Sequence, residues 1–280
     1  MRWIANPLYG VISVSRVRIP PSPQKTKTAS GGFCFHEGGL TLSSSISYIV
    51  ARMDLAHRFD LSPKEAIALQ RELRERVMLA PYPATPRTIG GCDVSMNRFA
   101  SEGFAGFVNL SYPELELIGE SVVKDHIPMP YIPGLLSFRE IPMLVKAWDK
   151  LEQKPDVLMV DGIGIAHPRR LGIASHLGIL LDIPAIGCAK SVLVGKYEEP
   201  GAEPGSWSPL IEPKTGETLG AAVRTKRKVQ PMFISPGHRI TLEDSIRLVL
   251  ACVKKHRLPE PTRQAHLAVN RYRIKDAESR

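Results

Sequence analysis

The sequence predicts an α/β domain whose mixed sheet is flanked by helices. Three observations lead there. Three strand-like runs follow one another between residues 88 and 124, two short apolar runs lie at 157–160 and 183–188, and helical patterns alternate with those runs. Consecutive strands joined by short turns read as an antiparallel meander, whereas short apolar runs separated by helices read as buried, parallel strands. With 280 residues, 43% of them hydrophobic, the chain can bury a sizeable core. Its composition excludes a fibrous repeat and wholesale disorder.

The elements follow in order. Ser62-Pro63-Lys64-Glu65 opens a helix: Ser62 is the N-cap, Pro63 fits the first helical position, and Glu65 completes a capping box. Ile67, Leu69, Leu73 and Val77 give that helix an apolar stripe, and Pro81, Pro83 and Pro86 end it. Strands are expected at 88–95, 104–111 and 115–124. A helix at 137–151 follows, with Ser137 as cap and Glu140 at the capping-box position. A buried strand at 157–160, a helix at 172–181, a strand at 183–188, a strand pair at 219–225 and 229–235, and a helix at 242–256 complete the domain. A basic tail is expected after Pro259. Residues 53–280 form this single domain.

Residues 1–52 differ from the rest. They hold Pro-Pro-Ser-Pro at 20–23, a polar stretch at 24–32, and no sustained helical or strand period. They read either as a targeting peptide, being poor in acids, or as a disordered extension without a role in the domain.

Charge is distributed unevenly. The net charge is +9 overall, but it divides into +5 over residues 1–52, −5 over 53–223 and +9 over 224–280. The overall excess suggests an anionic partner, and it is placed as a strongly basic end after an acidic middle. Cys34, Cys92, Cys188 and Cys252 are far apart, without a C-x-x-C pair, which argues against a zinc ribbon and fits a reducing compartment. No apolar run reaches the ~18 residues of a membrane span, so a soluble, cytoplasmic protein is expected.

Three carboxylates stand out. Asp93 interrupts an otherwise apolar strand, where a carboxylate is costly without a cation or hydrogen bonds. Asp161 directly follows the apolar run 157–160, at the strand end where ligands gather in α/β sheets. Glu140 lies in the first turn of the helix between them. Together they suit Mg²⁺, which prefers oxygen ligands. Taken singly, Asp93 and Asp161 also read as turn or cap residues, and Glu140 as the partner in a capping box.

Lys190, after the strand at 183–188, is placed to meet a phosphate or to be a solvated surface lysine. His238, in Ser235-Pro236-Gly237-His238-Arg239, reads as a loop imidazole able to move a proton, or as an ordinary loop residue. Pro128-Met129-Pro130-Tyr131-Ile132-Pro133-Gly134 makes a stiff loop. Its Tyr131 is either a wedge between stacked bases or a residue packed on the core.

These motifs resemble those of the endonuclease V family. The resemblance rests on Gly90-Gly91-Cys92-Asp93-Val94-Ser95, on Pro130-Tyr131-Ile132-Pro133-Gly134 with Phe138-Arg139-Glu140, and on Asp161-Gly162-Ile163-Gly164-Ile165-Ala166-His167-Pro168-Arg169 with Gly172-Ile173-Ala174-Ser175-His176. Ser235-Pro236-Gly237-His238 and Pro259-Glu260-Pro261-Thr262-Arg263 continue it, and it spans residues 54–273. Residues 1–52 match nothing in the family.

The resemblance implies a ribonuclease H-like fold and a Mg²⁺-dependent DNA repair endonuclease, with Mn²⁺ as a substitute. Asp93, Glu140 and Asp161 would hold the metal, while Lys190 and His238 would serve phosphate and proton chemistry. Pro130, Tyr131, Ile132 and Pro133 would form the DNA wedge. Gly134, Leu136, Gly162 and Gly164 would line a pocket for the flipped base. The implied reaction cuts the second phosphodiester 3′ to deoxyinosine, leaving a 3′-hydroxyl and a 5′-phosphate, and the protein would act as a monomer. An inosine-directed ribonuclease and a non-catalytic nucleic-acid-binding protein are the competing readings; the three acids argue against the latter.

Overall fold

The computed structural model describes residues 59–97 and 100–279. The reading of residues 1–52 as an extension therefore lies outside the described residues.

Helix α1 (Pro63–Leu73) begins as the sequence predicts: the Ser62 hydroxyl accepts from the Glu65 N–H and the Glu65 carboxylate accepts from the Ser62 N–H. The meander follows as β1 (Thr88–Met96), β2 (Glu102–Ser111) and β3 (Leu117–His126). Then come α2 (Leu136–Lys150), β4 (Val157–Val160), α3 (Ile173–Leu181) and β5 (Ala185–Ala189). The chain continues through β6 (Trp207–Ile211), β7 (Thr218–Val223), β8 (Met232–His238), α4 (Leu242–Ala251) and α5 (Glu260–Glu278).

All eight strands share one sheet in the order β3-β2-β1-β4-β5-β8-β7-β6. Strands β1, β4 and β5 run parallel at its centre, and the remaining neighbours pair antiparallel. The mixed α/β class is as expected. Both faces of the central strands are covered. Val157 and Met159 face a core shared with Ile246, Leu248, Ala265 and Ala268 of α4 and α5. Leu158 and Val160 face another with Ile141 and Leu144 of α2 and Leu177 of α3. Burial on two sides explains why β4 reads as an unbroken apolar run.

Three expectations are corrected. The segment after Pro259 is a 19-residue helix, α5, and not a tail. Helix α2 has Leu135 at its N-cap without a side-chain cap, so Glu140 closes no capping box; the Ser137 hydroxyl instead contacts His176 Nδ1 at 3.0 Å. Strand β6 is an addition at the sheet edge, where Pro209 is tolerated because one side of the strand needs no partner.

Candidate active site

The parallel strands β1, β4 and β5 run toward the same edge of the sheet, and each carries a charged residue of the site in or just after its C-terminal half. Asp93 leaves β1 near its C-terminal half, Asp161 directly follows β4, and Lys190 directly follows β5. Lys190 Nζ donates to Asp161 Oδ2 at 2.5 Å. Glu140, from the second turn of α2, joins them electrostatically. Burial and the charges of Asp93 and Asp161 push its carboxyl up to about 8. Burial also raises the Asp161 carboxyl, while Lys190 pulls it down.

Sequence reasoning missed the fifth member, His266. It projects from α5, and its Nδ1 donates to Asp93 Oδ2 at 2.8 Å, which raises its pKa above the usual imidazole value. Helix α5 reaches this position because β1 carries glycine at 91: a β-carbon there would lie 2.0 Å from the Pro261 carbonyl oxygen. The available signal was Gly91 itself, together with the helical i, i+4 spacing of His266 and Asn270, whose side chains touch at 3.0 Å.

His238 is not part of this constellation. It closes β8 as a strand residue and pairs with Ala185 at the start of β5, the sheet edge opposite Lys190. Five residues of strand separate the two levels, about 16 Å at ~3.3 Å per residue. Its ring is buried, its Nδ1 accepts from the Met78 N–H at 3.3 Å, and burial lowers its pKa. That bond ties residue 78 to the sheet, while His238 Nε2 lies 3.8 Å from Asp182 Oδ1.

The oxygen-rich donor set suits a hard divalent cation. Among the described residues no three His, Cys, Asp or Glu side chains are drawn together closely enough to hold a metal ion as they stand. Lys190 engages Asp161, His266 engages Asp93, and Glu140 keeps its proton well above the carboxylate range, so mutual repulsion stops the three acids from ionising together. A cation at this edge relieves that repulsion, so the residues fit a Mg²⁺-type ion.

The proline-rich loop stands before α2. Tyr131 is 60% exposed, so it does not pack on the core, and Pro130 and Pro133 are exposed beside it. Ile132 anchors the loop against a cluster containing Leu135 and Phe138. Ile132-Pro133-Gly134-Leu135 forms a turn closed by the Leu135 N–H on the Ile132 carbonyl at 2.9 Å, with Gly134 at φ +79°. Proline then glycine at its centre is the type II signature.

Gly134 contacts the loop after β4 through Arg169 and His167, which brings it to the segment that carries Gly162 and Gly164. Leu136 is the first residue of α2. At Gly162 a β-carbon would meet Ile173 at 2.4 Å, and at Gly164 it would meet the Pro236 carbonyl oxygen at 2.1 Å. Gly164 is buried against β8, with its N–H donating to Ser235 Oγ at 2.7 Å, so it backs the loop rather than faces an open cavity.

Comparison with known proteins identifies the family and the fold. The family model described as Endonuclease V matches residues 71–267. The chain is 48% identical over 212 residues to "Endonuclease V" of Dehalococcoides mccartyi, covering 76% of this chain and 94% of that protein. A crystal structure of Endonuclease V from Streptomyces avermitilis aligns with TM-score 0.73 and 40% identity, over 78% of this chain and 95% of that one. Endonuclease V of Ciona intestinalis, solved with a 24-mer DNA containing an inosine followed by a ribo-adenosine, aligns with TM-score 0.65 and 30% identity, over 76% and 98%.

Proposed function

This chain belongs to the endonuclease V family, a family of metal-dependent nucleases, and on that premise we propose that it is a Mg²⁺-dependent DNA repair endonuclease directed at deoxyinosine. It cuts the second phosphodiester 3′ to the lesion and leaves a 3′-hydroxyl and a 5′-phosphate. The observation that carries this reading is the meeting of Asp93, Glu140, Asp161, Lys190 and His266 at one sheet edge.

Asp93, Glu140 and Asp161 would hold Mg²⁺, or Mn²⁺ in its place. The bound ion supplies charge neutralisation and makes water a stronger nucleophile. Lys190, held beside Asp161, would present its ammonium to the scissile phosphate. His266, protonated at Nδ1, can supply the proton that O3′ takes up as the P–O3′ bond breaks. Tyr131, on the loop at 130–133, fills the gap left by the flipped base, which Gly134, Leu136 and Gly162 receive, with Gly164 packed behind them.

The wedge assignment is open to a direct binding test. Base–aromatic stacking is worth about 1–3 kcal/mol, so Tyr131→Ala should weaken binding to a deoxyinosine duplex about tenfold or more. Binding to an unmodified duplex should change far less, as read by competition titration; equal losses would count against a wedge.

A second prediction concerns the basic end of the chain. Lys226, Lys254 and Lys255 line an open groove of about 670 Å³. Arg257 connects it to the acids, because its guanidinium donates to the Lys190 carbonyl at 2.9 Å while Thr225 Oγ1 donates to the Arg257 carbonyl at 2.7 Å. If this groove follows the phosphate backbone, replacing all three lysines by glutamine lowers the slope of log affinity against log salt by about 2–3. An unchanged slope removes the groove from the interface.

The relative from Ciona was solved on a DNA with a ribo-adenosine after the inosine, which keeps an inosine-directed ribonuclease as the second reading. Side-by-side cutting of a deoxyinosine duplex, the same duplex with one ribonucleotide 3′ to the lesion, and inosine-containing RNA decides between them. Faster cutting of the ribonucleotide substrates would overturn the DNA assignment. No helix among the described residues is long and apolar enough to cross a membrane. Cys92, Cys188 and Cys252 are buried free thiols, in keeping with a reducing compartment, and the proposal places the protein in the cytoplasm as a monomer.

A further inference from the structure

The carbonyl of Gly134, at the base of the exposed Tyr131 loop, is held by three side chains. Arg169 Nη2 donates to it at 2.7 Å, Gln70 Nε2 at 3.0 Å and His167 Nε2 at 3.2 Å. The three are themselves ordered. Gln70 Oε1 accepts from Arg169 Nε at 2.5 Å, and His167 Nδ1 accepts from the Arg169 N–H at 3.1 Å. That last bond fixes the neutral tautomer with its hydrogen on Nε2, the one able to donate to Gly134.

This arrangement costs two buried polar side chains: Gln70 is 1% and His167 3% exposed. Buried polar groups are kept only where they are satisfied. Here one bond from each reaches the same backbone atom, and the rest go to Arg169 and, from Gln70, to the Leu171 carbonyl at 3.4 Å. The acceptor belongs to a residue with φ +79°, and a β-carbon there would lie 2.7 Å from Arg169 Nη2. The positive φ favours glycine here, and the absent β-carbon leaves the Arg169 guanidinium room at the carbonyl. The clamp also joins separate parts of the chain: α1 supplies Gln70, and the loop that begins at Asp161 supplies His167 and Arg169.

We propose that Gln70, His167 and Arg169 are positioning residues that lock the Gly134 turn, fix the angle at which Tyr131 projects, and so set discrimination between lesion and ordinary bases. The inference rests on the deoxyinosine reading above. Gln70 is enclosed at the base of the loop and also bonds Arg169 and the Leu171 carbonyl, so its substitution is read together with that of His167, whose Nε2 contacts the Gly134 carbonyl directly. Locking the loop in advance means that its ordering is not repeated on each encounter with DNA, which favours the site where the wedge can enter.

The test compares wild type with Gln70→Ala, His167→Ala and His167→Gln. Affinities for a deoxyinosine duplex and an unmodified duplex are measured in chelator, with 2-aminopurine beside the lesion to report unstacking. Single-turnover cutting at saturating enzyme with Mg²⁺ is read separately. Gln70→Ala and His167→Ala should lose about tenfold of the lesion preference and most of the 2-aminopurine rise. Affinity for unmodified DNA and the saturated cutting rate should stay within about threefold. His167→Gln, which keeps a donor near the Nε2 position, should recover most of the preference.

Equal losses on both duplexes, or a preference unchanged in both alanine variants, overturn the clamp. If His167→Gln is no better than His167→Ala, the Gly134 bond is not what matters and the proposal fails. A wild-type protein without lesion preference overturns the substrate reading and this inference with it, whereas a wild-type preference that the variants share overturns the inference alone.

Discussion

An Asp161→Ala protein should fold and bind nucleic acid but cut a deoxyinosine duplex on the order of 10³-fold more slowly than wild type, or not detectably. Asp161 lies directly after β4, between Asp93 on β1 and Lys190 after β5, so it is the central oxygen donor of the group. Its loss removes a metal ligand and leaves Lys190 without its 2.5 Å partner. Metal ions contribute several kcal/mol of transition-state stabilisation in such reactions, which sets the scale. Asp161→Asn retains the shape but not the charge and should be nearly as defective. Cutting at wild-type rate by either variant would mean that the metal acids have been misassigned.

The second large effect is on stability without metal. Glu140 titrates at about 8 in the folded protein against a reference value of 4.5. Between those values the unfolded chain binds fewer protons than the folded one, so stability falls as pH rises through that window and is unaffected below it. Each pKa unit is about 1.4 kcal/mol, so the loss amounts to a few kcal/mol.

In chelator at pH 8, Glu140→Gln should therefore melt several degrees above wild type, while near pH 4 the two should coincide. Adding Mg²⁺ should raise the wild-type melting temperature by mass action and raise that of Glu140→Gln much less. Coincident melting curves at pH 8 would remove the electrostatic argument for a cation at this edge.

The sheet centre was legible because its physics is local. Strands buried on both faces must be apolar throughout, as Val157-Leu158-Met159-Val160 is, and Asp161 straight after the run stands where ligands gather, although alone it also reads as a turn residue. Helix α5 was not legible. Its buried side is built on the small residues Ala265, Ala268 and Val269, which give little periodic signal among so many charges, and with the helix unseen His266 went unnoticed.

His238 misled for the opposite reason. Pro236-Gly237 before it looks like a loop, yet β5 and β8 shift register there, with Ile186 opposite Pro236 and Ala185 opposite His238. Gly237 is the extra residue of a bulge that lets the strand continue. Glu140 shows how one carboxylate supports two local explanations that only tertiary structure separates: the capping box did not form, and the acid turned to the cluster.

The most direct test of the metal-acid account is cut-site mapping on an end-labelled duplex carrying one deoxyinosine, with and without Mg²⁺. The account predicts a single nick at the second phosphodiester 3′ to the lesion, with a 3′-hydroxyl and a 5′-phosphate, present only with the metal and absent in Asp161→Ala. Nicking that persists in chelator, or that ignores the lesion, would contradict it.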